Sequence, residues 1–77
     1  MEKLTIQEEE AMQAIWKLNG GFVKDLLDEM QGTVPYTTLA STVKNLEKKG
    51  YVVHERYANA HKYLPKITQK EYKGRFL

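Results

Sequence analysis

The sequence predicts an α+β fold, mostly helical: three helices, then a two- to three-stranded antiparallel ribbon and the start of a further helix. Three observations predict it. Apolar residues recur at helical spacing in three stretches, each closed by glycine or an Asn-Gly-Gly step. Two β-rich runs, Tyr51 to Tyr57 and about Ala60 or His61 to Leu64, flank a turn at Ala58 and Asn59. The third helical stretch passes through Gly50 straight into that ribbon. A helix feeding a ribbon in this way outlines a winged helix-turn-helix.

The first helix opens at Thr5-Ile6-Gln7-Glu8, a capping box in which hydroxyl and carboxylate each take an orphan backbone N–H. Glu8, Glu9 and Glu10 follow at the positive end of the helix dipole and read as a solvated helix start. Met12, Ile15 and Trp16 supply the inward face, Trp16 as a core residue, and Asn19-Gly20-Gly21 ends the helix. Phe22 is placed to add a short third strand beside the ribbon. Val23, Leu26, Leu27 and Met30 mark the buried face of a second helix, which Gly32 ends. The third helix begins near Pro35 or Tyr36 without an evident cap and stops at Gly50, with Lys48 and Lys49 suited to its negative end. At the ribbon tip, Asn59 is the residue suited to a positive φ. Thr68-Gln69-Lys70-Glu71 is a second capping box, opening a helix with Tyr72 and Phe76 four residues apart. That helix is short when the chain stops at Leu77, so further protein is expected to follow. The expected division is residues 1–67 as the winged-helix domain and 68–77 as the start of a C-terminal helix.

Seventy-seven residues form one domain with a small core and no room for a substrate cavity with its own supporting shell. The absence of cysteine excludes disulfides and thiolate metal sites, and no apolar run has the length of a membrane span or signal core. These features read as a soluble cytoplasmic protein without a membrane partner. The net charge of +2 conceals a split. Residues 1–31 hold three lysines against seven acids, whereas residues 32–77 hold nine cations against three acids. A balance of −4 beside one of +6 directs the search for a polyanionic partner to the second half.

The third helix carries the chemistry. Leu39, Val43 and Leu46 form a narrow apolar stripe, and the opposite side presents Thr37, Ser41, Lys44 and Lys48, with Asn45 beside them and Thr38 at the flank. Short hydrogen-bonding groups near the helix start and ammonium groups further along suit the major groove of double-stranded DNA. Thr37, Thr38, Ser41 and Asn45 are the expected base contacts. Lys44, Lys48, Arg56 and Lys62 are the expected phosphate contacts, with Lys66 beyond the ribbon. Hydroxyl residues also serve helix starts, and lysines also serve as solvated helix faces, so both ordinary readings stand beside the functional one.

No phosphate loop, nucleophile elbow or His-Glu-x-x-His helix is present, so no catalytic residue, cofactor or enzymatic role is expected. His54 and His61 fall one on each ribbon strand. With Glu55 or Glu71 they are the only plausible metal ligands, and the expected metal site is none. Two alternatives remain beside DNA binding: a winged helix used as a protein-interaction module, and a metal-responsive regulator using the two histidines.

The order of several pieces resembles the DNA-binding domain of the penicillinase-repressor (BlaI/MecI) family of bacterial transcriptional regulators. They are Ala14-Ile15-Trp16, Tyr36-Thr37-Thr38-Leu39-Ala40-Ser41-Thr42-Val43, Leu46-Glu47-Lys48-Lys49-Gly50-Tyr51-Val52 and Tyr63-Leu64-Pro65. The resemblance runs from about Leu4 to Leu77. It implies a repressor that binds a palindromic operator with TACA/TGTA-type half-sites as a homodimer. It also implies dimerisation through a C-terminal helical segment that a sensor-triggered cleavage inactivates. The family's base-reading positions fall on Thr37, Thr38 and Ser41, with Lys44 and Asn45 one turn on. Two departures stand out. Asn45 occupies a place where an arginine is frequent, and the wing tip near Asn59 is neutral where the family often has an arginine. Arg56 or Lys62 is expected to compensate. Copper-responsive relatives carry cysteine pairs in the C-terminal part, beyond these residues.

Overall fold

The computed structural model describes residues 2–76, the side chains of Arg75 and Phe76 excepted. Its elements run α1 (Ile6–Leu18), β1 (Gly21–Phe22), α2 (Val23–Glu29), α3 (Tyr36–Lys48), β2 (Val52–Tyr57), β3 (Ala60–Pro65) and α4 (Gln69–Phe76). The strands form one antiparallel sheet in the order β1-β3-β2, with Gly21 opposite Tyr63 and His54 opposite Tyr63 on the other side. This is the winged helix-turn-helix expected, about half of it helical, and the short strand at Phe22 is present.

Local chemistry accounts for the helix limits. The Thr5 box forms at both of its bonds: Glu8 N–H donates to Thr5 Oγ1 at 3.2 Å, and Thr5 N–H donates to Glu8 Oε1 at 2.9 Å. All three N-terminal helices then end alike. The N–H of Gly20, Gly32 and Tyr51 returns to the carbonyl five residues back, on Ile15, Leu27 and Leu46, as in a Schellman turn. The left-handed residue in these turns is Asn19, Gln31 and Gly50 respectively. In α2 the helix therefore closes at Met30, one residue before the left-handed Gln31, and Met30 packs on the core from the cap. Gly20 is needed twice over. Its φ is +101°, and a Cβ there would stand 2.8 Å from the backbone oxygen of Tyr63, where α1 meets β3.

The core is the shared inner face of these elements: Met12 and Ile15 from α1, Leu26 from α2, Leu39, Val43 and Leu46 from α3, Tyr51 from the link after α3, and Val52 and Tyr63 from the sheet. Burying each large apolar side chain contributes about 1.5–3 kcal/mol, so the α3 stripe alone holds that helix firmly to the domain. Trp16 sits at the core's rim, half-buried, where its Nε1–H donates to the Ile67 carbonyl at 2.8 Å and its ring meets Tyr72 at 5.4 Å. Thr68 and Glu71 form the second capping box, and Tyr72 Oη donates to Glu9 at 2.8 Å. The α4 turn is thereby tied to α1. The expected partner of Tyr72 at Phe76 lies outside the described side chains.

Two expectations need correction. Glu8 is not part of a solvated helix start: it is buried and ion-paired with Lys49 Nζ at 2.6 Å. The helical fold brings the end of α3 against the start of α1, which no local pattern announces, so Lys49 serves the acid of α1 rather than the α3 dipole alone. At the ribbon tip the positive φ falls on Ala58, at 52°, and not on Asn59. The two-residue connection between Tyr57 and Ala60 places its left-handed step at the first position.

Candidate nucleic-acid interface

Pro35 precedes α3 with an extended backbone and no side-chain cap, so the first-turn N–H groups of the helix receive no local side-chain acceptor. Leu39, Thr42, Val43 and Leu46 are buried, which fixes the helix's rotation about its axis. Thr37, Ser41, Lys44, Asn45 and Lys48 consequently face solvent together, as the sequence predicts. Thr38 is half-buried at the flank. Its carbonyl accepts the Thr42 hydroxyl at 2.8 Å, so Thr42's polar group is satisfied within the helix and does not join the outer face.

Beside this face lies a groove of about 530 Å³ between α3 and the ribbon. Tyr36, Ala40 and Lys44 form one wall, His61 and Tyr63 the other, and Lys24 of α2 stands at its margin. Burial raises the Tyr63 pKa, with the Glu47 carboxylate and Tyr36 adding to the effect, so its phenol stays protonated. Tyr36 and Lys24 were missed by sequence reasoning. Tyr36 is 54% exposed, and a tyrosine at a helix start gives no sequence signal that separates a surface contact from a core residue. Lys24 lies on a different element, so only the tertiary fold brings it near Lys44.

The ribbon separates its two cations. Directly opposed residues share a face of an antiparallel pair, so Arg56 lies with His54, His61 and Tyr63 on the side turned toward α3. Lys62 lies with Phe22, Glu55 and Tyr57 on the other side. Arg56 and Lys62 are thus not brought together but stand on opposite faces of the wing. Arg56 Nε donates to the Ala58 carbonyl at 3.3 Å, holding its guanidinium beside the tip.

Electrostatics favour an anionic partner here. Among the described residues, Lys44, Lys48, Lys62 and Arg56 make no ion pair, whereas the ion pairs found are Lys17–Glu29, Lys49–Glu8 and His54–Glu47. Glu47, the single acid of α3, bonds His54 Nδ1 at 2.6 Å. His54 and His61 stack at 4.4 Å with ring planes 17° apart. Ring-nitrogen lone pairs lie in the ring plane, so parallel stacked rings direct them alongside each other rather than toward one ion. Glu55 points to the opposite face, Glu71 closes its own capping box, and no group of three or more metal-ligating side chains occurs among the described residues. The large apolar side chains left exposed are Ile6, Leu18, Tyr36, Val53 and Tyr57, and they come from three different elements. No helix is long and apolar enough to cross a membrane among the described residues.

Comparison with known proteins agrees with this geometry. No curated protein matches the chain at a significant level. A solved structure of monomeric Bacillus licheniformis BlaI in complex with the blaP half-operator matches with a TM-score of 0.73 and 25% identity. The match covers 92% of this chain and 89% of that one. The family model described as penicillinase repressor matches residues 4–77. With a winged helix whose polar, cationic face is turned outward, the chain belongs to the penicillinase-repressor family of DNA-binding transcriptional repressors.

Proposed function

We propose that this chain represses transcription by setting α3 in the major groove of a palindromic operator, with the wing against the adjoining backbone. The observation that carries the reading is the outer face of α3, where exposed hydroxyl, amide and unpaired ammonium groups lie side by side. Thr37, Ser41 and Asn45 read base edges, and Thr38 contributes from the flank. Lys44, Lys48, Arg56 and Lys62 hold phosphates, the last two from opposite faces of the wing. The likeness to a BlaI monomer on a half-operator supports one copy of the winged helix per half-site. A homodimer then spans the palindrome, joined by a segment that continues from α4, and the whole acts on DNA in the cytoplasm. Residues 1–67 form the DNA-binding unit in this arrangement.

Selection of bound duplexes from a random pool tests the proposal, since it reports half-site sequence and spacing together. The expected product is a palindrome whose affinity falls steeply with salt. With about five phosphates neutralised per copy, log K against log salt has a slope near −4.5. Lys48→Ala flattens that slope by about one unit across all sequences. A salt-independent affinity, or enrichment of no sequence, rejects the reading. Salt-independent association with a protein partner instead is the outcome that the interaction-module alternative requires.

A further inference from the structure

The join between α3 and the wing contains a feature that DNA contact alone does not require. Glu47 is the only acid on α3 and sits one residue before Lys48, on the helix expected to approach phosphates. An unmasked carboxylate there opposes binding. His54 Nδ1–H donates to its Oε2 at 2.6 Å, and the His54 ring is backed at 4.4 Å by His61 and at 6.0 Å by Tyr63. We infer that His54 is a positioning residue that links DNA binding to a proton. Protonated, it neutralises Glu47 and holds the wing to α3. Neutral, it leaves a net negative charge at the join. The inference rests on the DNA-binding reading above and adds to it a regulation of the same surface.

The charges around the pair fix the sign. From α3, Glu47 faces His54, with Lys44 a turn earlier and Lys48 adjacent. From β3 come His61 and Tyr63, and on β2 itself Arg56 shares the same face while Glu55 points away. Glu47 is the only carboxylate in that set, and it is in direct contact. Histidine is the side chain whose charge changes between pH 5 and 8. Phosphates nearby favour the protonated state of the pair, so binding takes up a proton and affinity declines as pH rises.

The test uses a duplex enriched from a random pool against this chain, titrated at pH 6 and pH 8 at constant ionic strength. The wild type is expected to bind about fivefold more weakly at pH 8, the size of one surface ion pair. His54→Gln binds at pH 6 as weakly as the wild type does at pH 8, and its two affinities converge. Glu47→Gln binds about fivefold more tightly than the wild type at pH 8, because the opposing charge is gone. His61→Gln leaves the His54–Glu47 bond in place and keeps the wild-type ratio. In NMR titrations the His54 ring protonates at higher pH with duplex than without. A wild-type pH ratio in His54→Gln, or an unchanged pH 8 affinity in Glu47→Gln, overturns the inference while DNA binding stands. Wild-type protein that binds no duplex at either pH overturns both.

Discussion

Charged side chains at the two ends of the molecule have opposite fates. At the α1 end they are partnered within the fold: Glu8 with Lys49 and the Thr5 N–H, and Glu9 with Tyr72. On α3 and the wing, Lys44, Lys48, Lys62 and Arg56 stand without an ion-pair partner among the described residues, and the one acid of α3 is occupied by His54. The acidic half of the chain is therefore not simply a repelling counterpart to the basic half. Glu8, Glu9 and Glu29 of that half are bonded within the domain, whereas the cations proposed to meet DNA have no ion-pair partner among the described residues.

The contrast predicts that substitutions at the two ends separate stability from binding. Replacing Lys44 and Lys48 together by alanine has the largest effect. Two lost phosphate contacts lower DNA affinity about 50-fold near 0.1 M salt and flatten the salt slope by about two units. The melting temperature stays as in the wild type, because neither ammonium group is paired in the fold. Glu8→Ala does the reverse. It removes charge-assisted hydrogen bonds from Lys49 and the Thr5 N–H and costs about 1.5 kcal/mol in denaturant titrations. The folded fraction keeps its salt slope. Ser41→Ala comes next, lowering the affinity ratio of selected over scrambled duplex by about fivefold while non-specific binding is unchanged. Equal profiles for Ser41→Ala and Lys48→Ala in such titrations would remove the assignment of one to bases and the other to phosphate.

The smallest effects are on pH dependence of stability. Burial opposes ionisation of Glu8, but hydrogen bonds from Lys49 and Thr5 and the Lys49 charge outweigh it, so its pKa lies below the ordinary 4.5. Its stabilising contribution is therefore present above that value and is lost as pH falls through the lower, folded one. Tyr72 behaves oppositely: burial first, then the bond to Glu9, pushes its pKa up to about 12 from 10.0. Its contribution is complete below pH 10 and disappears as pH rises toward 12. Thermal melts of the wild type and Tyr72→Phe across the alkaline range check this: the variant lacks the hydroxyl that titrates, so its melting temperature falls less steeply.

Elements were legible in the sequence wherever the signal was local. The two capping boxes and the α3 stripe of Leu39, Val43 and Leu46 follow from spacing or residue type within a few positions, whereas the short strand at Phe22, although expected, is made by its pairing with Lys62. The outer face of α3 was legible for the same reason: once three neighbours fix which side is inward, the positions of Thr37, Ser41, Lys44 and Lys48 follow from 100° per residue. The wing was legible only in part. The turn was placed correctly at Ala58 and Asn59, so strand parity was enough to separate Arg56 from Lys62, but the left-handed residue in it is Ala58 and not Asn59.

By itself the sequence determined the helices and the identity of the exposed α3 side chains, because these depend on hydrogen bonds and periodicities spanning a few residues. The charge asymmetry is composition, and the ribbon was readable from its β-rich runs and their turn, although its pairing reaches from Val52 to Pro65. Tertiary structure alone decided which charges remain available. Lys49 finds Glu8 across 41 positions, Trp16 finds Ile67 across 51, and Lys24 is brought to the margin of the α3–wing groove. Such pairings arise from how buried faces pack, and the partner of a surface charge is fixed only when that packing is complete.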